Sequence, residues 1–296
     1  MNVYCVLAHN EPANLKSLLN TLQGKKVLVH LDKSVDRAQY LMELASLPAQ
    51  VEVLDLKDSF RIEWGGWNMV RAEILLFRNA LRFLKPGDHA ILLSGACYPC
   101  RPLADFEYFL SQNTAKELIS FNSLGNVQNL RILPTGQGYW KVQNINLHDM
   151  IALPPFPPIV KGAYKLRDFI NKRRLPNPQF RSEYAYFVGS QWIALTAGMT
   201  SQLVRNENYL KRRFRYSYAP DELAIQSFII NTLGPDSDAL IGEDFNTFAT
   251  ISGPIHYLKP GSLPATIEDL EAITESGKFF VRKPTDELRK MLTKGL

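Results

Sequence analysis

The strongest constraint on this chain is the alternation of short apolar runs with helical patterns over its first 125 residues. Residues 2–8 form an apolar run typical of a buried strand, and residues 13–22 repeat leucine at helical spacing. Two further apolar runs, at 26–32 and 51–56, are separated by an alanine- and leucine-rich helical segment. Strands that alternate with helices join through right-handed crossovers, so the pattern predicts a parallel sheet.

The alternation continues beyond the third predicted strand. Residues 67–84 have the pattern of a long amphipathic helix, and residues 89–95 form a fourth apolar run. A short helix at 106–112 and a strand at 117–123 are predicted next. We therefore interpret residues 1–125 as the nucleotide-binding half of an α/β domain.

The rest of the chain has a different character. Residues 123–180 contain many of the prolines and little periodicity, which predicts long loops and short strands over the sheet edge. A strand pair is predicted at 182–195, with helices at 196–206 and 221–233. From Ile255 the chain is expected to be irregular and to end in a charged helix.

Composition excludes several classes of protein. Hydrophobic residues make up 46% and charged residues 21%, which is ordinary for a globular enzyme. The formal net charge of +5 suits an anionic ligand or membrane face, and no nucleic-acid module is found. Three cysteines argue against a disulfide framework, and no apolar run approaches the ~20 residues of a membrane span. The N-terminus is interpreted as a strand and not a signal peptide, so a cytoplasmic protein is expected.

The common phosphate-binding loops are missing. The first strand leads into His9, Asn10, Glu11 and Pro12, with neither G-x-G-x-x-G nor G-x-x-x-x-G-K-[ST]. This absence argues against a dehydrogenase, a common methyltransferase and a P-loop NTPase.

Two short motifs have a functional and a structural interpretation. Cys97 and Cys100 form a C-x-x-C pair, which we interpret as reduced thiols in a turn rather than as a redox or zinc site. Asp236 and Asp238 form the one D-x-D, and its turn-rich surroundings favour a turn over a metal site. The histidines have no metal-ligand spacing, so no metal is expected.

Three further features carry polar or aromatic chemistry. Pro220, Asp221 and Glu222 have the pattern of a helix start, which can also present a carboxylate to a cleft. The basic clusters 172–174 and 211–215 are either solvated faces or a surface for a membrane or a glycan. Flat apolar faces for a sugar, or core positions, are offered by Trp64, Trp67 and Trp192.

Several segments together resemble one family, the core-2/I-branching enzymes, which are β-1,6-N-acetylglucosaminyltransferases and include the peptide O-xylosyltransferases (glycosyltransferase family 14). The similarity runs from about residue 2 to about residue 287, with the central loops unmatched. The matching segments, in the family's order, are CVLAHNEPANLKSLL, VLVHLDK, IEWGGWNMVRAEILL, ILLSGACYP, VGSQWIALT, YAPDELAIQSFI, IHYL and KFFVRKP.

The resemblance implies one GT-A-like α/β domain over residues 1–296, with a mixed, mostly parallel sheet flanked by helices. Residues 1–125 would be its nucleotide-binding half and residues 126–296 its acceptor-binding and catalytic half. The implied reaction is an inverting, metal-independent transfer of N-acetylglucosamine or xylose from a UDP-sugar to a glycan hydroxyl. The UDP-sugar is a co-substrate, so no cofactor is expected.

The resemblance also assigns site residues. Glu222 matches the family's catalytic base, and the acceptor is expected to contact Asp221 and Trp192. Cys97 stands where the family usually has aspartate, which fits the absence of a metal. The donor is expected to be bound by His9, Asp32, His256, Arg282 and Lys283.

Within that donor set, the matched motifs give each position its own role. Asp32 matches a residue near the uridine and ribose, and Lys283 matches the basic residue on the diphosphate, with Arg282 beside it. His256 stands where the family has a phosphate-binding arginine, and Lys259 is an alternative for that contact.

The expected partners are a UDP-sugar and a glycan or lipid-linked glycan acceptor, with no nucleic acid. The chain resembles a bacterial, cytosolic member, which would act in surface polysaccharide assembly and contact the inner face of the membrane peripherally. The alternatives are a catalytically inactive nucleotide- or glycan-binding module on the same fold, and a nucleotide-dependent enzyme of another class.

Overall fold

The computed structural model describes residues 1–9, 11–45, 50–54, 58–126, 140–148, 157–242 and 253–295. The strands in this part of the chain are, in order, β1 (Val3–Ala8), β2 (Lys26–Leu31), β3 (Val51–Val53), β4 (His89–Ser94), β5 (Cys97–Pro99), β6 (Glu117–Leu118), β7 (Asn122–Ser123), β8 (Phe187–Val188), β9 (Ala194–Thr196), β10 (Leu240–Ile241), β11 (His256–Tyr257) and β12 (Phe280–Arg282).

The helices surround these strands. Short 3₁₀ turns lie at Pro220–Glu222, Pro260–Ser262 and Ile267–Asp269. The α-helices are α1 (Pro12–Thr21), α2 (Arg37–Glu43), α3 (Trp67–Ala80), α4 (Leu103–Gln112), α5 (Trp140–Gln143), α6 (Pro157–Arg173), α7 (Ala197–Arg205), α8 (Glu207–Phe214), α9 (Ala224–Leu233), α10 (Leu270–Glu275) and α11 (Asp286–Gly295).

The central sheet has seven strands in the order β10-β6-β9-β4-β1-β2-β3. Strand β1 pairs in parallel with both β2 and β4, while β9 runs antiparallel to β4 and β6. The predicted α/β class, with a mixed and mostly parallel sheet flanked by helices, is confirmed. Two smaller sheets accompany it, one with the order β11-β12-β5 and the other formed by β7 and β8.

Strand β1 shows why its sequence is continuously apolar. Its side chains alternate between two hydrophobic clusters, with Cys5 and Leu7 in one and Tyr4 and Val6 in the other. The first cluster includes residues of α3, α7, α8 and α9, and the second includes residues of α1 and α4. A parallel strand that is covered on both faces has no solvent side on which polar residues could alternate.

The C-terminal segment returns to the end of β4. Strand β12 pairs antiparallel with β5, and this register places Arg282 opposite Cys97. A third hydrophobic cluster, which includes Tyr98, Val281 and Leu288, packs α11 against this small sheet. The core therefore fixes the position of residues 280–283 relative to the sheet edge.

The predicted loops of residues 123–180 need a correction. The structure contains the 17-residue helix α6 and the short helix α5 in this stretch, while residues 127–139 and 149–156 lie outside the described residues. Pro157 and Pro158 suggested a loop, but they are the first residues of α6, where proline is tolerated because the N–H groups have no helical partner.

Other boundaries also differ from the predictions. The strand predicted at 117–123 is divided into β6 and β7, and the third strand ends at Val53, with residues 55–57 outside the described part. The long helix predicted at 67–84 ends as α3 at Ala80. In the parts of the chain that are described, no helix is long and apolar enough to cross a membrane.

Candidate active site

The carboxyl ends of β1, β2 and β4 lie side by side at one edge of the central sheet. Ligands of open α/β sheets bind at this edge, so the candidate site is located here. Asp32 follows β2 and is 3% exposed. Its carboxylate accepts hydrogen bonds from the backbone N–H and hydroxyl of Ser34, at 2.7 and 2.5 Å, and from the Ile62 N–H at 2.8 Å. Asp32 therefore connects the loop after β2, at Ser34, to the loop at Ile62.

Arg282 reaches the same edge from β12. Its guanidinium donates a hydrogen bond to the Ser94 hydroxyl at 3.1 Å and lies 4.8 Å from the centre of the Trp192 ring. No carboxylate in the described part of the chain lies within ion-pair distance of Arg282. Burial lowers the pKa of Arg282, but an arginine remains charged at neutral pH. Its charge is therefore available to an anionic ligand.

Lys283 has a left-handed backbone, with φ of +53°, which is uncommon for a residue other than glycine. Its N–H donates to the Ala96 carbonyl at 2.7 Å, and its carbonyl accepts from Ala265 at 3.0 Å. Such strain persists where surrounding contacts enforce it, and it is concentrated at functional sites. Lys283 lines a cleft of about 380 Å³ together with Glu11, Asn14, Ala96, Pro264, Pro284 and Arg289.

His9 connects these groups electrostatically. Its side chain keeps an exposed surface, although neighbouring protein atoms remove enough water to lower its pKa. The positive charges of Arg282 and Lys283 lower this pKa further, while Asp32 raises it. The structure therefore brings His9, Asp32, Arg282 and Lys283 together at the strand ends. Because the sequence predicts that they bind the donor, we call these four residues the donor group.

His256 lies in the core beside the donor group. Its ring is fully buried, stacks on Phe280 at 5.3 Å, and has no hydrogen-bond partner at either nitrogen within the described residues. Burial and the charge of Arg282 lower its pKa to about 3, so it is neutral at physiological pH. This placement argues against the predicted phosphate contact. The alternative, Lys259, forms an ion pair with Asp269 at 2.7 Å.

The three candidate tryptophans have different positions. Trp192 is 6% exposed and covered by Arg282, and Trp67 is 4% exposed in the core. The predicted acceptor contact of Trp192 is therefore not supported, because its accessible face is occupied. Trp64 is 69% exposed and makes an edge-to-face contact with Tyr218, with ring centres 5.3 Å apart. Of the three candidates, Trp64 is the one with an exposed ring face.

Glu222 ends a 3₁₀ turn that directly precedes α9, so the predicted helix start is confirmed. Its carboxylate accepts a hydrogen bond from the Lys141 ammonium at 2.8 Å. Lys141 lies on α5 with only 5% of its side chain exposed, whereas Glu222 is 34% exposed. A buried lysine thus orients a carboxylate that remains accessible.

The backbone around Glu222 is tied to other parts of the site. Ala219 has a left-handed φ of +48°, and its N–H donates to the Gly65 carbonyl at 3.1 Å. The Glu222 carbonyl accepts from the Gly189 N–H at 2.9 Å. The segment from Gly189 to Trp192 therefore connects Glu222 to the residue that lies under Arg282.

Aromatic rings line the same side of the molecule as Glu222. The rings of Tyr218 and His148 are 5.7 Å apart, and the Lys141 ammonium lies 5.8 Å from the Tyr218 ring. Burial raises the pKa of Tyr218, and the charges of Glu222 and Asp221 raise it further. Because these residues surround the predicted base, we call Trp64, Lys141, His148, Tyr218 and Glu222 the catalytic group.

Asp221 has a buried carboxyl group as a neighbour. Glu73 of α3 is fully buried and accepts a hydrogen bond from the Gln191 amide at 2.7 Å. Burial raises the pKa of Glu73, and the negative charge of Asp221 raises it further. The predicted acceptor contact of Asp221 stays a prediction.

The two ambiguous motifs are now located. All three cysteines are free thiols, as predicted, but Cys97 lies in β5 rather than in a turn, and burial raises its pKa to about 11. Asp236 lies in a turn after α9, as predicted. The described residues contain no cluster of three or more histidine, cysteine or acidic side chains that could hold a metal.

Some residues of the site escaped the sequence analysis. Lys141 and His148 lie in the aperiodic stretch and belong to no recognised segment, and Tyr218 was assigned no role. The one available signal was Tyr218 itself, which begins the matched segment YAPDELAIQSFI. Lys141 gave no signal, because a single lysine outside a motif is most often a surface residue.

Comparison with known families defines the class of this protein. A family model of glycosyltransferases matches residues 2–247, so the protein is a glycosyltransferase. The model is described as Core-2/I-Branching enzyme, and the chain belongs to this family. Asp32, Lys141 and Glu222 lie inside the matched residues, whereas Arg282 and Lys283 lie beyond them.

The chain was also compared with solved structures and with curated proteins. The structure of mouse xyloside xylosyltransferase 1 in its apo form is similar, with 11% sequence identity and a TM-score of 0.33, over 82% of this chain and 84% of that chain. No curated protein matched the sequence.

Proposed function

We propose that this glycosyltransferase moves a sugar, N-acetylglucosamine or xylose, from a UDP-sugar to a glycan hydroxyl with inversion and without a metal ion. The observation that carries the proposal is the convergence of Arg282 and Lys283 on the strand ends, where Arg282 has no carboxylate partner among the described residues. Family membership supports a nucleotide-sugar donor and a glycan acceptor.

The donor group supports the departure of the nucleotide. As the bond between the anomeric carbon and the phosphate oxygen breaks, negative charge develops on the leaving diphosphate. Fixed positive charges in a partly dry cleft stabilise that charge more strongly than they would in water. Arg282 and Lys283 would supply these charges, and partial burial lowers the pKa of both.

Glu222 supports the attack of the acceptor. In an inverting displacement the acceptor oxygen forms its bond to the anomeric carbon while its proton passes to a general base. Glu222 would take that proton, and UDP would carry away the bonding electrons. Lys141 acts as a positioning residue, since its ammonium fixes the carboxylate at 2.8 Å. The exposed face of Trp64 is a platform on which a sugar ring of the acceptor can stack.

The absence of a metal is part of the proposal and has its own support. Cys97 occupies the position after β4 at which the family usually has aspartate, and burial keeps its thiol protonated. Turnover in excess EDTA tests this point. Activity that EDTA abolishes and Mn²⁺ restores would show that a metal supplies the charge.

The cellular setting is proposed from family resemblance. We place the reaction in bacterial surface polysaccharide assembly, in the cytoplasm at the inner face of the membrane, with a free or lipid-linked glycan as acceptor. Nucleic acid is not a partner in this proposal.

Two measurements test the proposed function. A thermal-shift panel of UDP, UDP-sugars, S-adenosylmethionine and NAD should raise the melting temperature with the uridine ligands alone, because only a ligand of the native state stabilises it. Release of UDP from UDP-N-acetylglucosamine or UDP-xylose should then depend on an added glycan. Binding of UDP with no turnover over a broad acceptor panel would instead identify an inactive binding module.

A further inference from the structure

A basic surface with exposed apolar side chains lies beside the catalytic group and has no part in the chemistry described so far. Between Lys165 and Arg174 the chain carries five basic residues and one acidic residue, and between Lys211 and Arg215 it carries four basic residues and no acidic one. We call residues 165–175 together with 211–216 the α6–α8 surface.

The two segments are neighbours in space. Consecutive backbone N–H groups join them, since Ile145 donates to the Leu175 carbonyl and Asn146 donates to the Tyr216 carbonyl, both at 2.8 Å. The Leu147 N–H also donates to the Asn171 side chain at 2.9 Å. The basic ends of α6 and α8 therefore face solvent on one continuous part of the molecule.

Apolar side chains are exposed within this basic surface. Leu166 is 59% exposed and Phe169 is 54% exposed, one helical turn apart on α6, and Leu175 is 44% exposed after it. The Arg173 guanidinium lies 4.8 Å from the centre of the Phe169 ring. A helix that shows leucine and phenylalanine between lysines and arginines is typical of segments that lie in a membrane interface.

The positive charge of the α6–α8 surface indicates an anionic partner. The acidic residue, Asp168, is already paired with Arg167 at 2.9 Å. The basic residues that face solvent include Lys165, Lys172, Lys211, Arg212 and Arg215, whereas Arg213 packs on the Tyr184 ring. Lys211, Arg212 and Arg215 also line a cleft of about 370 Å³ with Gln179, Asn208 and Tyr216. A cleft of this kind fits an anionic headgroup, because cations and amide donors converge on it.

We propose that the α6–α8 surface docks on an anionic lipid bilayer, with Leu166 and Phe169 entering the interface and the basic side chains contacting phosphate headgroups. An acidic polysaccharide would engage the charges but would gain little from the exposed aliphatic side chains of Leu166 and Leu175, so the bilayer is the occupant that both features fit. The proposal rests on the proposed function in one respect, that the docked enzyme holds Glu222 near a lipid-linked acceptor.

Flotation of the full chain with vesicles tests the proposal. Binding is expected with phosphatidylcholine mixed with phosphatidylglycerol, and not with phosphatidylcholine alone. It should weaken strongly at about 1 M salt, where the screening length falls to about 3 Å. The double variant Leu166→Ser with Phe169→Ser should bind roughly tenfold less tightly or worse, because apolar burial is lost. Lys172→Gln with Lys211→Gln should lose roughly twenty-fivefold in vesicle affinity, which is a factor of about five per charge.

Matched controls come from other faces of the molecule. Leu41→Ser with Met42→Ser removes apolar residues of α2 that are 46% and 73% exposed, and should bind vesicles like the wild type. Lys290→Gln with Lys294→Gln removes two exposed lysines of α11 and should also have no effect.

The outcomes separate the two proposals. Turnover with a water-soluble acceptor should be unchanged in the Leu166→Ser, Phe169→Ser variant, and an enzyme without turnover can still be scored for vesicle binding. Equal binding by the wild type and both surface variants would overturn the docking proposal. So would binding to a soluble acidic polysaccharide with no affinity for the anionic vesicles.

Discussion

The donor group and the catalytic group of this enzyme are built in contrasting ways. The donor group lies at the ends of β1, β2 and β12, whose residues pack in hydrophobic clusters, and its backbone is fixed by strand pairing. The catalytic group lies on a loop before α3, the four-residue helix α5 and the 3₁₀ turn at Glu222. Groups on strands hold one ligand in place, whereas groups on loops can vary with the acceptor while the scaffold is kept.

Each group nevertheless includes or adjoins a residue with a positive φ angle. Lys283 in the donor group and Ala219 before Glu222 are two of the three described residues other than glycine that have positive φ. Each is held by backbone hydrogen bonds to a distant segment, Lys283 to Ala96 and Ala219 to Gly65. The comparison predicts that damage to one group should leave the function of the other measurable.

The largest effect is expected from Glu222→Gln, which removes the proton acceptor and keeps the shape of the side chain. Turnover should fall by about 10²-fold or more, because general-base catalysis is lost. Affinity for UDP should be nearly that of the wild type, since the donor group is untouched. UDP-release kinetics and UDP titration measure the two quantities, and turnover like the wild type would remove Glu222 from the role of base.

Lys283→Ala tests the donor group instead, because it removes one of the positive charges of that group. Loss of a charge-assisted contact to phosphate should weaken UDP binding about ten- to a hundredfold, and uridine should bind the variant as well as the wild type. Lys290→Ala, which removes an exposed lysine of α11, is the matched control. If the variant keeps full UDP affinity, Lys283 does not contact the diphosphate.

Lys141→Met tests, within the catalytic group, whether Lys141 orients the Glu222 carboxylate. Methionine fills a similar volume, but it cannot orient the Glu222 carboxylate, so kcat should fall roughly tenfold through misplacement of the base. UDP affinity should be unchanged, and Lys141→Arg should recover part of the lost kcat because it restores a donor to the carboxylate. A loss of UDP affinity in Lys141→Met would instead show that the two groups are coupled.

The smallest effect on binding is expected at His256, which the structure places in the core. His256→Leu should leave UDP affinity unchanged, because the ring is fully buried. The pKa of His256 is lowered from 6.5 to about 3, so the unfolded chain takes up a proton at higher pH than the folded protein. The resulting stability is present above about pH 6.5 and is lost as the pH falls towards 3.

Melting temperatures measured from neutral to acidic pH check this sign. The wild type should lose stability as the pH falls, and His256→Leu should lose less over the same range. His30, whose pKa burial lowers to about 4, contributes in the same direction and remains in both proteins. A variant that binds UDP clearly more weakly would restore His256 to the donor group.

The sequence predicted the fold of residues 1–125 better than that of residues 126–296, for a physical reason. Strand β1 is apolar at every position because it is buried on both faces, which leaves a local pattern. Helix α6 differs, because its Leu166 and Phe169 are exposed and its apolar residues therefore do not mark a single buried face. Prolines at its start then pointed to a loop.

The site divides in the same way. Glu222 and Asp32 stand in recognised segments, so their positions were predicted. The ion pair of Lys141 with Glu222 joins residues 81 positions apart, and no local pattern can reveal it. The burial of His256 against Phe280 and Trp192 likewise depends on the long-range pairing of β11 with β12.

The central claim is that protein cations at the strand ends, and no metal, bind the diphosphate of the donor. Calorimetric titration of the wild type with UDP and with uridine, both in excess EDTA, tests it most directly. The account predicts that UDP binds at least about tenfold more tightly than uridine, as charge-assisted phosphate contacts require. Equal affinity for the two ligands in EDTA, with a preference for UDP that appears only after Mn²⁺ is added, would contradict it.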